Sequence, residues 1–172
     1  PTSVDECIMG CVLQAGVGQN PARQAALMAG VSESLSAVTV KKVCGSGLQS
    51  VMHAAQSTKA GDNSVVVAGG MENMSNAPHL AHVRSGIKFG EGTLIDHMQH
   101  DGLTCPFENW GMGCAAEWTA EEFNISRDEQ DSLSAASHNK AASAIKNGWY
   151  KNEIIPLEAD QIKQRADVME DE

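Results

Sequence analysis

The segment VKKVCGSGLQSV, running from Val40 to Val51, sets one cysteine between a β-branched run and a pair of glycines. A thiol attacks a carbonyl carbon as thiolate. It loses its proton more readily at a helix N-terminus, where unpaired amides and the helix dipole favour negative charge. Cys44 stands at such a junction, so the expectation is a nucleophile with a lowered pKa. Gly45 and Gly47 carry no side chain, which allows a sharp strand-to-helix turn and close approach of a substrate, the logic of the nucleophile elbow. The competing account makes Cys44 a small buried residue closing a strand, because cysteine is among the residue types most often buried. The residues alone leave both accounts open.

Other residues capable of chemistry are weaker candidates. His97 and His100, in HMQH, have the spacing of neighbours on a helix, yet no third ligand stands at a usable distance in sequence. They are expected to be solvated loop histidines, and no metal site is expected. Cys7 and Cys11 lie in an apolar run read as strand and share a sheet face, so buried structural thiols are expected there. Cys105 and Cys114 flank a loop and are expected to be incidental thiols. The glycine pair of GGMENMS could cradle a phosphate but lacks the lysine and the spacing of a P-loop; a tight turn at a subunit contact is the expectation.

The elements that must hold Cys44 can be read from local signals. In QNPARQAALMAG, Asn20 can cap a helix, Pro21 suits its first position, and Gly30 can take the left-handed stop. SAVTVKKV reads as a strand ending at Val43 on its β-branched content. From Gly45 a helix is expected, with Leu48, Val51, Met52 and Ala55 at helical spacing and a stop at Gly61. SVVVAGG then reads as a strand buried on both faces, as in a parallel sheet with helices above and below. Strand, helix, strand, helix, strand is an α/β order with right-handed crossovers.

The region from Met74 to Gly113 lacks a stable period and reads as a long surface excursion. A helix is expected over GMGCAAEWTAEEF. SRDE offers a capping box, Ser126 with Glu129, for a longer helix stopping at Gly148. NEIIPLE is expected to be a short strand that Pro156 confines to an edge or an end.

Composition excludes several classes. The chain has 172 residues, 12 Lys and Arg against 22 Asp and Glu, and a formal net charge of −10, a balance that disfavours phosphate backbones and anionic membranes. No apolar run approaches the roughly 20 residues that cross a bilayer. Five cysteines without a signal-peptide pattern suit reduced thiols in an intracellular setting. The chain opens on Pro1 and enters an apolar run at once, so an upstream piece is expected to be missing.

Three blocks in order, GQNPARQAAL, VCGSGLQSVMHA and VVVAGGMENMSNAPH, resemble the thiolases, and the likeness continues through DGLT, MGCAAE and the segment from Ile125 to Pro156. The resemblance implies a thiolase-like α/β fold with a layered α-β-α N-terminal half. It assigns residues 1–75 to a βαβαβ core lacking its first strand, and residues 76–172 to a loop and helical insertion incomplete at the C-terminus. It also implies a reaction. Cys44 accepts an acyl group from acyl-CoA, and a second acetyl-CoA takes that group through its α-carbon to give a 3-ketoacyl-CoA; the reverse is thiolytic cleavage. The backbone N–H of Cys44 is then an oxyanion donor. Leu103 and Met112 match positions lining the pantetheine channel, with ordinary packing under a loop as the alternative.

No cofactor is implied beyond coenzyme A thioesters as substrates. A homodimer or homotetramer is implied, helped by the hairpin-like excursion RSGIKFGEGTLID; no nucleic acid or membrane partner is implied. The compartment is expected to be the cytoplasm, with mitochondrion or peroxisome open, because a targeting segment would lie upstream of Pro1. The family's acid–base groups are a His in a GHP motif and a Cys in a CxGGG motif, with an Asn in NEAF holding a water, and none of the three motifs occurs between Pro1 and Glu172. This stretch alone is therefore expected to hold the nucleophile without turning over. Gly111 stands where short-chain members place a histidine, and Trp118 where they continue with asparagine, which bears on substrate length. Two other readings compete: a ketoacyl-synthase-like condensing enzyme, against which GQNPAR and GGMENMS count, and a non-catalytic thiolase-fold remnant or interaction module.

Overall fold

A computed structural model describes residues 3–159 and 168. Three five-residue strands form a parallel sheet in the order β2-β1-β3: β1 Glu6–Gly10, β2 Ser36–Val40 and β3 Val66–Gly70. The register is level, Glu6 opposite Ser36 and Val66, and Gly10 opposite Val40 and Gly70. All three strands therefore end at one height on the same edge.

Two helices complete the crossovers, α1 Pro21–Met28 and α2 Ser46–Ala60. The first connection steps from β1 out to β2, and the second crosses back over β1 to β3. With right-handed crossovers that places α1 and α2 on opposite faces, the expected layered α-β-α arrangement. Side chains of β1 alternate accordingly. Cys7 packs with Ala26 and Leu35, with Met9 against the same cluster, whereas Gly10 lies against the first turn of α2.

The local signals for α1 are realised. Asn20 caps it in a left-handed conformation, φ 44°, its Oδ1 accepting from the Arg23 N–H at 3.3 Å. Its Nδ2 donates to the Ala37 carbonyl at 2.9 Å, and Thr39 Oγ1 donates to Asn20 Oδ1, so the same cap anchors α1 to β2. Gly30 and Gly61 take the left-handed stops, at φ 79° and 83°.

Three expectations are corrected here. β2 ends at Val40 instead of Val43. β3 is not buried on both faces, since Val67 is 46% exposed. The apolar row of α2 also faces away from the sheet: Leu48 is 69% exposed, whereas Ser46 and Ser50 are buried. The cause is steric. A Cβ on Gly10 would lie 2.3 Å from the Ser46 carbonyl carbon, and a Cβ on Gly70 3.2 Å from the Gly47 Cα. Backbones approaching that closely leave room on the inner helix face for small residues only. Ser50 fits there, its hydroxyl 2.6 Å from both the Gly47 and Gly69 carbonyls.

Contacts divide the chain into two units, Pro1–Cys114 and Ala115–Glu172. In the first, β4 His79–Leu80 pairs antiparallel with β5 Ile95–Asp96, closing the expected hairpin-like excursion. A π-helical turn, Gln99–Leu103, follows. Helix α3, Met112–Glu122, crosses the boundary, and α4, Arg127–Lys146, belongs to the second unit. The Ser126–Glu129 capping box is present in both halves, and Gly148 takes the left-handed conformation at the end of α4. Among the described residues NEIIPLE forms no strand; Leu157 makes an isolated bridge, exchanging both backbone hydrogen bonds with Val168 at 2.9 Å. Among the described residues no helix is long and apolar enough to cross a membrane.

Candidate active site

In an open parallel sheet, ligands bind beyond the carboxyl ends of the strands, where the strand order reverses. That edge carries an open depression of about 330 Å³. Gly10 to Val12 form one wall, Gly70 to Glu72 a second, and Val43, Cys44, Ser46 and Gly47 the head of α2. Cys44 is a free, exposed thiol in it, which discards the account of a buried strand-closing residue.

The turn carrying Cys44 differs from the one expected. The helix cap is Gly45, so Cys44 lies one residue ahead of it. Gly45 has φ −90°, and the left-handed residue is Val43, at φ 47°. A left-handed backbone costs an L-residue roughly 1–2 kcal/mol, and a β-branched one is an outlier there. Surrounding bonds hold it. Ser46 Oγ accepts from the Lys42 N–H at 2.8 Å and donates to the Val43 carbonyl at 2.6 Å. The same carbonyl accepts from the Ser46 N–H at 3.0 Å, and the Lys42 carbonyl from the Gly45 N–H at 3.1 Å. Gly47 lines the depression, and its Cα lies 3.2 Å from where a Cβ on Gly70 would stand.

The loop leaving β1 is braced from two sides by residues that sequence reasoning missed. Glu72, from GGMENMS, accepts from the Val12 N–H at 2.8 Å through Oε2 and from the Leu13 N–H at 2.9 Å through Oε1. His97 is buried, 4% exposed, and not a solvated loop residue. Its Nε2 accepts from the Ala15 N–H at 3.3 Å, leaving Nδ1–H to donate to Asp101 Oδ2 at 2.7 Å. His100 is exposed, as expected, and its Nδ1 lies 2.8 Å from Asp101 Oδ1. The His100 hydrogen bond, reinforced by that of His97 and opposed by partial burial, holds the Asp101 carboxyl below the usual carboxylate range. Among the described residues no three His, Cys, Asp or Glu side chains gather as a metal site.

Of the remaining thiols, Cys114 is exposed and Cys105 half-buried, whereas two others contrast with Cys44. Cys7 and Cys11 are buried, as expected. Burial pushes both pKa values up, with Glu6 adding to the effect at Cys7 and Glu72 at Cys11, so both remain thiols at neutral pH. Leu103 and Met112 do not line the Cys44 depression. The structure does bring them to one place, since the Thr104–Gly111 bridge sets them at the base of a loop, 38% and 42% exposed.

Comparison with known proteins places this geometry. The family model described as thiolase, N-terminal domain, matches residues 1–172. The chain is 49% identical over 172 residues to the cytosolic acetyl-CoA acetyltransferase of Rattus norvegicus, covering 100% of this chain and 43% of that protein. It is 53% identical over 156 residues to the acetyl-CoA acetyltransferase of Escherichia coli (strain K12), covering 90% of this chain and 40% of the relative. Among solved structures, a thiolase from Ascaris suum in complex with coenzyme A superposes with a TM-score of 0.90 at 36% identity, covering 99% of this chain and 43% of the other. The chain thus spans less than half the length of the relatives it matches.

Proposed function

The chain belongs to the thiolase family, and on that premise we propose that it carries the nucleophile half of an acyl-transfer site acting on coenzyme A thioesters. One observation carries the reading: a free, exposed thiol stands at the head of α2, in an open depression at the carboxyl ends of β1 and β3.

The Cys44 thiolate attacks the carbonyl carbon of an acyl-CoA, the carbon–sulfur bond to coenzyme A breaks, and the coenzyme leaves as thiol with the proton that Cys44 gave up. The acyl group is then a thioester on Cys44. The Cys44 N–H donates to the oxyanion formed during attack, a contact of a kind worth roughly 3–4 kcal/mol of barrier. In the second half, the α-carbon of another acetyl-CoA, stripped of one proton, displaces Cys44 and forms a carbon–carbon bond. The product is a 3-ketoacyl-CoA, and the reverse sequence is thiolysis. Splitting the reaction at a covalent intermediate replaces one hard step by two easier ones.

Residues 1–172 hold none of the GHP, CxGGG or NEAF motifs. The groups that take and return protons are assigned to the remaining length of the longer protein, and residues 1–172 by themselves to the inactive half. Leu103 and Met112 would contact the pantetheine arm, an apolar thread that suits their side chains. Residues 84–96, RSGIKFGEGTLID, would serve association into a dimer or tetramer. A cytoplasmic location fits the name of the rat relative.

The test is acylation. The protein is incubated with acetyl-CoA, digested, and its acetylated peptides mapped by mass spectrometry. An acetyl thioester on the Cys44 peptide, lost in C44A, is expected. A label that persists in C44A, or that maps to Cys105 or Cys114, overturns the assignment.

A further inference from the structure

We propose that Val43 is a positioning residue for Cys44, an inference that rests on the reading of Cys44 as the acyl-accepting nucleophile. Its φ of 47° lies in the region that L side chains rarely adopt, and β-branched ones least of all. Glycine would occupy that conformation freely. Glycines stand two and four residues further on, yet the residue taking the left-handed conformation in this turn is valine.

Core packing does not account for it. Val43 is 45% exposed, and it lines the Cys44 depression instead of joining the buried cluster around Cys7. The residues around it are arranged to hold the strain. Ser46, 4% exposed, uses one hydroxyl to accept from the residue before Val43 and to donate to the carbonyl of Val43 itself. Strained residues persist where their surroundings over-determine them, and they cluster at functional sites.

The consequence concerns direction. With glycine at position 43, the peptides on either side of that residue, the second of which carries the Cys44 N–H, sample several orientations; with valine and the Ser46 clamp, they have one. The Cys44 Cα–Cβ bond and its N–H are both fixed by those peptides. Val43 thus aims the thiol and the oxyanion donor together, and its side chain walls the space where the acyl group arrives.

The test uses V43G and V43I in the intact protein, with three readouts: thermal midpoint, rate of Cys44 alkylation by iodoacetamide, and steady-state kcat and KM with acetoacetyl-CoA and coenzyme A. V43G relieves the strain, so its midpoint is expected to stay level or rise. Its alkylation rate and kcat fall about tenfold or more, with KM within about twofold, because a misdirected nucleophile costs rate more than binding. V43I keeps the branch, so its rate of Cys44 alkylation is expected to stay within about twofold of the parent's. Two outcomes overturn the proposal: V43G leaving alkylation and kcat unchanged, or lowering midpoint and reactivity together as a merely structural residue would. Acetyl mapping on the unsubstituted protein separates the two readings. If Cys44 is not acylated there, the proposed function fails; if it is, and V43G reacts like the parent, the role of Val43 alone fails.

Discussion

Substituting Gly10 by alanine should displace the head of α2. The new Cβ would lie 2.3 Å from the Ser46 carbonyl carbon, 2.4 Å from the Gly47 nitrogen and 2.6 Å from the Ser46 oxygen, all backbone atoms. Ordinary carbon–carbon contact begins near 3.5 Å, so the helix entrance must retreat by about 1 Å. No side chain can swing away to absorb that. Overpacking commonly costs roughly 1–3 kcal/mol, and a clash confined to backbone belongs at or above the top of that range. We expect about 3 kcal/mol lost in urea unfolding. The displaced segment begins two residues after Cys44, and a misplacement of about 1 Å can cost a hundredfold in rate, so Cys44 alkylation should slow by about that factor. Gly70→Ala, 3.2 Å from the Gly47 Cα, should cost about 1 kcal/mol. Gly47→Ala meets its nearest neighbour at 3.6 Å, an ordinary contact, and gains helix propensity, so it should lie between neutral and about 1 kcal/mol stabilising. The reasoning is refuted if Gly10→Ala falls within about 1 kcal/mol of the parent, or if Gly47→Ala is the most damaging of the three.

Two further predictions test the braces. Glu72→Gln keeps one acceptor oxygen but turns an amide donor toward the second of the Val12 and Leu13 N–H groups; hydrogen exchange at one of these amides should accelerate about tenfold, and unchanged exchange at both would remove the brace from the account. Asp101 is held below the usual carboxylate range first by His100, then by His97 against burial, so the unfolded chain binds more protons than the folded one at acid pH. Its stabilisation is fully present above the unfolded pKa, near 4, and is lost as pH falls through the lower folded value. The gap in urea midpoint between the parent and Asp101→Asn should therefore narrow as pH falls from about 5 to about 2; a gap constant over that range contradicts the assignment.

Local chemistry was legible where cause and effect lie a few residues apart. Asn20 caps α1, Gly61 stops α2, and Ser126 with Glu129 closes its box as their spacing requires. The parallel sheet was legible too, because β-branched runs alternating with helical periods leave few topologies. Cys44 could be singled out, but its turn could not be drawn. A β-branched residue is the last type sequence reasoning assigns to a left-handed position, so the turn is read onto Gly45 and Gly47, of which Gly45 takes φ −90° and Gly47 lies inside α2. The faces of α2 were hidden because they depend on Gly10 and Gly70, residues from two different strands. His97 and Glu72 were missed for a related reason. Their partners are backbone amides 82 and about 60 residues away, and a backbone amide leaves no mark in a sequence. NEIIPLE had strand composition, but its residues take no strand among the described residues, where Leu157 forms an isolated bridge with Val168.

The level register of the sheet has a further consequence. Because Gly10, Val40 and Gly70 stand abreast, the three segments leaving the strands begin from a common rim. Insertions or deletions beyond that rim would reshape the mouth of the cleft without altering a single rung of the ladder beneath. Reactivity and selectivity are thereby encoded in separate stretches of the gene. A lineage could reshape that mouth by varying the lengths of the segments leaving β1 and β3, while the segment leaving β2, which carries Cys44, stayed as it is.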